Sequence, residues 1–364
     1  MKYTHVYALF LMLVFNTSCQ GQNKKENINS ETKDVYSSQA PKGIVRTIKQ
    51  DRNGNIWITS WEGVFKYDAR LPDGQGKSFT NVTSKVSSAR FFSVLEDRKG
   101  NFWFASIGSG VYYYDGISFQ NFTTKDGLAS DRVGTIYEDI TSTIWFGTEN
   151  GVSRYDPSAS LSTGSKSFRN LKMSEALPVT VADSVHVSFY DNIPKDHWTH
   201  NDVNAIIEDE AGKFWIGTRG HATVYDGKTF TPIINKDGKP FTNVRSIIKD
   251  KKGNIWLGGN DGLWRYDGST FTNFTKKFVG YIYEDKKGNI WTSSESDNNL
   301  WVLSRYDEKS LTDKKPTVTE ITNKPMIFGI LEDDKGNIWF GALDGVHRYD
   351  GKTITNFKNK EVQK

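Results

Sequence analysis

Apolar and polar residues alternate in short runs through most of the chain, and one arrangement of runs recurs. Each copy starts with a β-rich run such as 244–248 (VRSII), followed by an Asp-x-x-Gly-Asn turn. A run with a central Trp follows, as in 253–257 (GNIWL), then a Gly-containing turn and a run that ends in Tyr-Asp. Short alternating runs bounded by turn residues predict β-strands rather than helices.

Seven copies of this arrangement span the chain. They occupy 45–68, 91–115, 133–156, 203–226, 244–267, 279–307 and 327–350. Their marker tryptophans are Trp57, Trp103, Trp145, Trp215, Trp256, Trp291 and Trp339. Successive markers are 35 to 48 residues apart except for one spacing of 70, which locates an insertion at about 171–200.

Each copy predicts four antiparallel strands, because an Asp-Gly hairpin after Tyr-Asp leads into a short fourth run. Repeating four-stranded units of about 40 residues are typical of propeller blades. We therefore predict an all-β protein, a seven-bladed β-propeller over 43–358. The last copy has its own fourth run at 353–357, so closing the ring requires no strand from the N-terminus. A weaker alternative adds 34–38 as an edge strand.

The repeated residues are predicted to build the fold. Blades pack on both faces, so Ile255 and Leu257 should face one neighbouring blade and Trp256 the other. The turn carboxylates lack the D-x-D-x-D-G spacing of calcium loops, which leaves them a structural role.

The copies resemble the two-component regulator propeller repeat. The resemblance rests on V-x-x-I-x-E-D-x-x-G-N-I-W-x-G-T-x-x-G-V-x-x-Y-D, clearest at 133–156, 244–267 and 327–350, and it covers about 45–357. In that family, propellers form the extracytoplasmic sensors of membrane-bound hybrid histidine kinases, which often recognise glycans. The resemblance therefore implies a sensor-like propeller. No kinase region follows residue 350, so we expect a stand-alone form without its own signalling output.

The N-terminus predicts export and a lipid anchor. Lys2 precedes an apolar run from Val6 to Phe15 that is too short to span a bilayer, and polar residues lead to Cys19. Residues 1–19 thus resemble a bacterial lipoprotein signal that leaves Cys19 as the lipidated N-terminus; the alternative is an ordinary secretory signal. Gln20 favours the outer membrane. Residues 20–42 are polar and predict a flexible tether, and 359–364 a C-terminal tail.

Composition narrows the function classes. The single Cys excludes disulfide frameworks, Cys-based zinc sites and iron–sulfur clusters. The 47 basic and 43 acidic residues are interleaved, so no nucleic-acid partner is expected. His197, His200 and Asp202 have side chains that can bind metals, but their spacing is not typical of a zinc site and favours a plain loop. No nucleophile or phosphate-binding motif is present, and we expect neither a cofactor nor a metal.

Residues that depart from the repeat are the candidate site, because residues common to all copies build the fold. The turns between second and third strands and the links between blades should share one face around the channel. The ligand-binding candidates there are Trp61, Arg90, Arg132, Arg219, His221 and Arg245. Trp can stack on a sugar ring, and Arg can bind carboxylates or hydroxyls through two hydrogen bonds. These residues therefore predict a glycan or an acidic peptide as ligand, or an extracytoplasmic protein as partner. The alternative is an enzyme similar to streptogramin lyase, with His221 as the base.

Overall fold

The fold consists of seven four-stranded antiparallel sheets. A computed structural model describes residues 40–69, 79–156, 168–173, 200–298 and 300–357. In every sheet, strands that are neighbours in the chain are also hydrogen-bonded neighbours. The first strands of successive blades lie beside one another, and the first strand of blade 7 lies beside that of blade 1. This arrangement confirms the predicted seven-bladed propeller.

Each blade is built from four consecutive strands of the chain. Blades 1 to 3 comprise β1 Val45–Gln50, β2 Ile56–Ser60, β3 Gly63–Tyr67 and β4 Phe79–Asn81; β5 Arg90–Glu96, β6 Phe102–Ile107, β7 Val111–Tyr114 and β8 Phe119–Phe122; β9 Val133–Glu138, β10 Ile144–Thr148, β11 Gly151–Tyr155 and β12 Phe168–Leu171. Blades 4 and 5 comprise β13 Val203–Glu208, β14 Phe214–Thr218, β15 Thr223–Tyr225 and β16 Phe230–Pro232; β17 Ser246–Lys249, β18 Ile255–Gly259, β19 Gly262–Tyr266 and β20 Phe271–Thr275. Blades 6 and 7 comprise β21 Val279–Glu284, β22 Ile290–Glu295, β23 Trp301–Tyr306 and β24 Val318–Lys324; β25 Ile327–Glu332, β26 Ile338–Ala342, β27 Gly345–Tyr349 and β28 Ile354–Asn356.

Blade 7 completes the ring with a fourth strand of its own, β28, as the sequence predicts. Its Leu331 and Trp339 pack against Ile48 and Ile56 of blade 1 in one buried cluster. The alternative edge strand at 34–38 lies outside the described residues, as do the signal, nearly all of the tether, and the C-terminal tail.

Each turn between first and second strands is organised by its aspartate. In blade 5, one carboxylate oxygen of Asp250 accepts the backbone N–H groups of Lys252 and Asn254, at 3.0 and 2.8 Å. The other oxygen accepts the indole N–H of Trp256 at 2.8 Å. The same Asp–Trp bond, 2.7 to 3.1 Å long, occurs in all seven blades. The turn carboxylates therefore have a structural function.

The marker tryptophans fill the wedges between blades. Trp256 packs with Val279 and Ile282 of blade 6, whereas Ile255 and Leu257 belong to a cluster with blade 4 residues. This confirms the predicted division of faces. Burying one Trp contributes at most about 4–6 kcal/mol at about 25 cal/mol/Å².

A glutamate at the end of the first strand joins five pairs of neighbouring blades. Its carboxylate accepts the backbone N–H of the residue that follows the turn aspartate of the preceding blade. These donor–acceptor pairs, which we call the clasps, are Arg52–Glu96, Arg98–Glu138, Ile140–Glu208, Lys251–Glu284 and Lys286–Glu332. At the junctions of blades 4–5 and 7–1 the glutamate is replaced by Lys249 and Gln50. The clasps were not predicted.

Helix is a minor component of this fold. The described segments include two 3-10 turns, Thr124–Asp126 and Glu308–Ser310. Within those segments, no helix has the length and apolar character needed to cross a membrane.

Candidate functional site

The turns between second and third strands meet the links that lead into the first strands. The backbone N–H of Trp61 donates to the carbonyl of Ile44 at 3.0 Å. The same contact joins Arg219 to Asp202 in blade 4, at 2.9 Å. Turns and links therefore lie on one face, as predicted, which we call the channel-mouth face.

A β-bulge lies near the start of the first strand in most blades. In blade 1 the strand register shifts between Val45 and Thr47, which leaves Arg46 as the extra residue. In blade 4 the shift between Val203 and Ala205 leaves Asn204 in the same position. A bulge changes the direction of the extra residue's side chain, so the side chains of Arg46 and Asn204 do not follow the alternation of a regular strand.

Asp202 of blade 4 forms an ion pair and is influenced by charges of the two neighbouring blades. The Nε atom of Arg219 lies 2.5 Å from Oδ2 of Asp202, and both side chains are less than one-fifth exposed. Burial raises the pKa of the Asp202 carboxyl, and the charges of Arg219, Arg245 and Arg132, in that order, oppose the increase. Arginines from three consecutive blades thus act on one carboxylate.

Arg245 and Arg132 each have a polar partner of their own, Asn204 and Glu149. The Nη1 atom of Arg245 donates to Oδ1 of Asn204 at 3.2 Å. Arg132 forms a half-exposed ion pair with Glu149, with Nε and Oε2 3.5 Å apart. We call these residues the charged sector: Arg132, Glu149, Asp202, Asn204, Arg219 and Arg245. Its three arginines and two carboxylates give a formal charge of +1.

Two histidines lie beside the charged sector. The backbone N–H of His221 donates to Nδ1 of His200 at 3.0 Å, so a neutral His200 carries its proton on Nε2. The ring centroids are 4.6 Å apart. Burial lowers the pKa of both, and the proximity of His200 lowers that of His221 further. A Cβ at Gly220 would approach His200 Nδ1 to 2.6 Å, so this contact requires glycine.

Guanidinium groups stack on aromatic rings in blades 7, 1 and 2. Arg46 lies between the rings of Phe92 and Phe328, 4.4 and 4.1 Å from their centroids. Arg90 lies 4.5 Å from the ring centroid of Trp61, which is 38% exposed. Leu343, in the matching turn of blade 7, is equally exposed. We call these residues the aromatic sector: Arg46, Trp61, Arg90, Phe92, Phe328 and Leu343.

The six sequence-predicted residues all lie on the channel-mouth face, but in three groups. Arg219 pairs with Asp202, and the charges of Arg245 and Arg132 also act on that carboxylate. Trp61 pairs with Arg90, and His221 with His200. Their roles in ligand binding stay predictions.

Sequence reasoning missed Arg46, Phe92 and Phe328. A usable signal was present, because all three follow the first apolar residue of their first strand. Arg245, which was predicted, holds the same position, whereas blades 3 and 6 have glycine there.

The metal candidates are only partly covered by the structure. His197 and most of the 171–200 insertion lie outside the described residues. Within the described ranges, no three His, Cys, Asp or Glu side chains are grouped so that they could hold a metal ion.

Sequence comparison identifies the repeat. The family model of the two component regulator propeller matches residues 40–62, 197–220 and 238–261. Comparison with curated proteins gave no match in sequence.

Solved structures with the same fold include three informative relatives. The extracellular domain of BT3049 from B. thetaiotaomicron, named as a hybrid two component system, has a TM-score of 0.62 and 22% identity, over 87% of this chain and 40% of that one. A catalytically inactive virginiamycin B lyase from Staphylococcus aureus with quinupristin has a TM-score of 0.57 and 13% identity, over 88% and 96%. PorZ, a surface component of the type-IX secretion system of Porphyromonas gingivalis, has a TM-score of 0.57 and 16% identity, over 83% and 46%.

These TM-scores establish a shared fold. The chain spans 40% of the length of the BT3049 domain and 46% of PorZ. Together with the repeat match, they identify the chain as a seven-bladed β-propeller that carries the two component regulator propeller repeat.

Proposed function

We propose that this propeller is an extracytoplasmic, membrane-anchored binding module whose channel-mouth face takes an acidic, polar ligand. The ligand is a glycan, a peptide or part of a partner protein, and binding is sensor-like. The observation that carries the proposal is the charged sector, in which Arg219 pairs with Asp202, Arg245 donates to Asn204, and Arg132 pairs with Glu149.

This geometry suits carboxylate recognition. A guanidinium presents a planar set of N–H donors that matches a carboxylate in a two-bond arrangement. Arg219 is held by Asp202, and Arg245 by Asn204, so part of the ordering cost of binding is already met. The half-exposed contact of Arg132 with Glu149 contributes little by itself, so an incoming carboxylate can replace it.

The proposed location rests on the N-terminal sequence. A signal ending at Cys19 and a polar tether to residue 42 would hold the propeller at the cell envelope, with the outer membrane favoured by Gln20. Two relatives with this fold are described as an extracellular domain and a bacterial surface component.

A catalytic role is the second candidate. Its support is the imidazole of His221, whose pKa is lowered by burial and by His200, on a fold shared with virginiamycin B lyase. The test is chromatography of quinupristin after incubation with the wild type and with His221→Ala. Turnover by the wild type alone supports catalysis, and no turnover by either protein removes this support.

The binding proposal is tested with the full chain carrying Cys19→Ser. Thermal-shift measurements should include oligoglutamate, oligogalacturonate, a sulfated oligosaccharide and a neutral oligosaccharide. We expect at least one acidic probe to raise the melting temperature, and the combined variant Arg132→Ala, Arg245→Ala to abolish most of that shift. Arg169→Ala on the outer strand β12 is the matched control. Equal shifts in both variants, or a response to the neutral probe alone, would contradict the proposal.

A further inference from the structure

The aromatic sector draws its residues from three neighbouring blades, including the two that meet at the ring closure. Arg46 of blade 1 is enclosed by Phe92 of blade 2 and Phe328 of blade 7. Trp61 follows β2, and its backbone N–H is bonded to the residue that precedes β1, so its position is fixed relative to Arg46. The surface is therefore supported by the strands of the propeller rather than by a long loop.

Arg90 supplies an exposed cation on this surface. Its guanidinium lies over the indole of Trp61, and no carboxylate of the described segments lies within ion-pair distance of it. Stacking covers a face of the guanidinium but leaves N–H donors at its edge. An anionic group that approaches Arg90 would also contact the apolar surface of Trp61.

The chemistry of the sector discriminates between ligand classes. Its six side chains offer N–H donors and apolar atoms, but no oxygen acceptor. The carboxylates that border the sector are already engaged, since Glu62 accepts the backbone N–H of Lys42 and Asp344 pairs with His347. A sugar hydroxyl is both donor and acceptor, so a neutral glycan would find few free acceptors for its hydroxyl donors here. A carboxylate only accepts hydrogen bonds, and an adjacent aromatic or aliphatic side chain can cover Leu343, Phe328 or Trp61.

We infer that the aromatic sector docks a segment of another protein in which a carboxylate residue lies beside an apolar side chain. This inference rests on the proposed function, because it names the ligand class of the same face. The charged sector lies on that face in blades 3 to 5, so a longer acidic segment can contact both sectors.

The test is selection of dodecapeptides from a phage-displayed random library on the immobilised full chain carrying Cys19→Ser. Enriched peptides should combine Asp or Glu with Phe, Leu, Trp or Met. Fluorescein-labelled copies are then titrated by fluorescence anisotropy. We expect Leu343→Ser and Arg90→Gln each to weaken binding about three- to tenfold. Ile117→Ser is the matched control, since Ile117 is 79% exposed in a hairpin on the opposite face.

The outcomes separate this inference from the proposed function. If peptide affinity falls only in Arg132→Ala and Arg245→Ala, the charged sector binds and the inference fails. The inference also fails if no peptide is enriched, while the proposed function still stands on its oligosaccharide probes. If Trp61→Ala loses oligogalacturonate binding but keeps peptide binding, the sector binds sugar and the inference is wrong. Unchanged affinity in all the variants contradicts both.

Discussion

The carboxylate of Asp250 accepts the indole N–H of Trp256 at 2.8 Å, across the turn that joins β17 to β18. The same carboxylate accepts the turn's own backbone N–H groups, so a single side chain fixes both the turn and the orientation of the tryptophan between blades. Because every blade repeats the bond, it explains why Asp and Trp recur at a separation of six residues.

Replacing this aspartate should be costly. Asp250→Ala leaves a buried indole N–H and two turn N–H groups without their acceptor, and we expect a loss of about 2–3 kcal/mol in the free energy of unfolding. Trp256→Ala, which also leaves a cavity, should lose roughly 3–5 kcal/mol. Urea denaturation measures both, with the exposed Asp237→Ala as control. A cost for Asp250→Ala no larger than that of the control would contradict the role assigned to the carboxylate.

The closed ring should spread this damage. Trp256 packs against blade 6, and its own sheet packs against blade 4. In Trp256→Ala we therefore expect faster hydrogen exchange in β14 and β22 as well as in β18. Faster exchange confined to β18 would show that the blades respond independently.

Each clasp should contribute less to the free energy of unfolding than the turn aspartate or the marker tryptophan does. Glu284 accepts the N–H of Lys251 at 2.9 Å, and burial is the largest influence on its pKa, which is raised. Glu284→Ala should lower the free energy of unfolding by about 1 kcal/mol, because the bond is only partly shielded from water. Glu320→Ala, on the exposed strand β24, is the control for this urea titration. Equal midpoints in the two variants would show that the clasp contributes nothing.

Stability should fall on mild acidification because of the histidine pair. His200 and His221 have folded-state pKa values below the ordinary 6.5, so the unfolded chain binds more protons than the folded chain in that range. The contribution of the two neutral histidines to the free energy of unfolding is therefore complete above pH 6.5. It is lost as the pH falls through 6.5 towards the folded pKa values. Protonation of His200 at Nδ1 also breaks its bond with the His221 N–H.

The measurement is the melting temperature from pH 7.5 to 5, for the wild type and for His200→Gln. The variant should lose less stability over this interval, because one of the two titrating groups is absent. Parallel pH profiles would contradict the assignment, since carboxylates titrate in both proteins alike.

Lipid anchoring should depend on Cys19. Cys19→Ser should move the protein from the membrane fraction to the soluble fraction, because no thioether-linked lipid can form. In the wild type, the tether of about 23 residues would hold the propeller on the order of 25 Å from the membrane. Fractionation with immunoblotting checks this, and an unchanged membrane fraction for the variant would refute the anchor.

The fold was predictable because each repeated residue has a structural role within its own repeat. Gly253 adopts a positive φ of 85°, Asp250 accepts the N–H groups of the turn, and Trp256 fills the wedge beside its blade. The site was less predictable because its contacts join different units. Arg46 and Arg245 hold the same position in their blades, yet one stacks on phenylalanines and the other bonds to Asn204. The neighbouring blade decides the partner, and a single repeat does not contain that information.

Asp202 illustrates the same limit. It directly precedes the first apolar residue of its first strand, as Arg90 and Arg132 do in their blades, and its charge is opposite. Its importance comes from its ion pair with Arg219 and from the charges of Arg245 and Arg132, which belong to other blades. Only the order of the blades around the ring brings these groups together.

The most direct test of the proposed binding face is the affinity of the tightest acidic probe, measured by calorimetry at low salt. The comparison is between the wild type, the combined variant Trp61→Ala, Arg132→Ala, Arg245→Ala, and the control Arg169→Ala. Three contacts of about 0.5–1 kcal/mol each predict a loss of roughly ten- to 150-fold in the combined variant and wild-type affinity in the control. Full affinity in the combined variant would contradict the account, and would place the ligand elsewhere on the propeller.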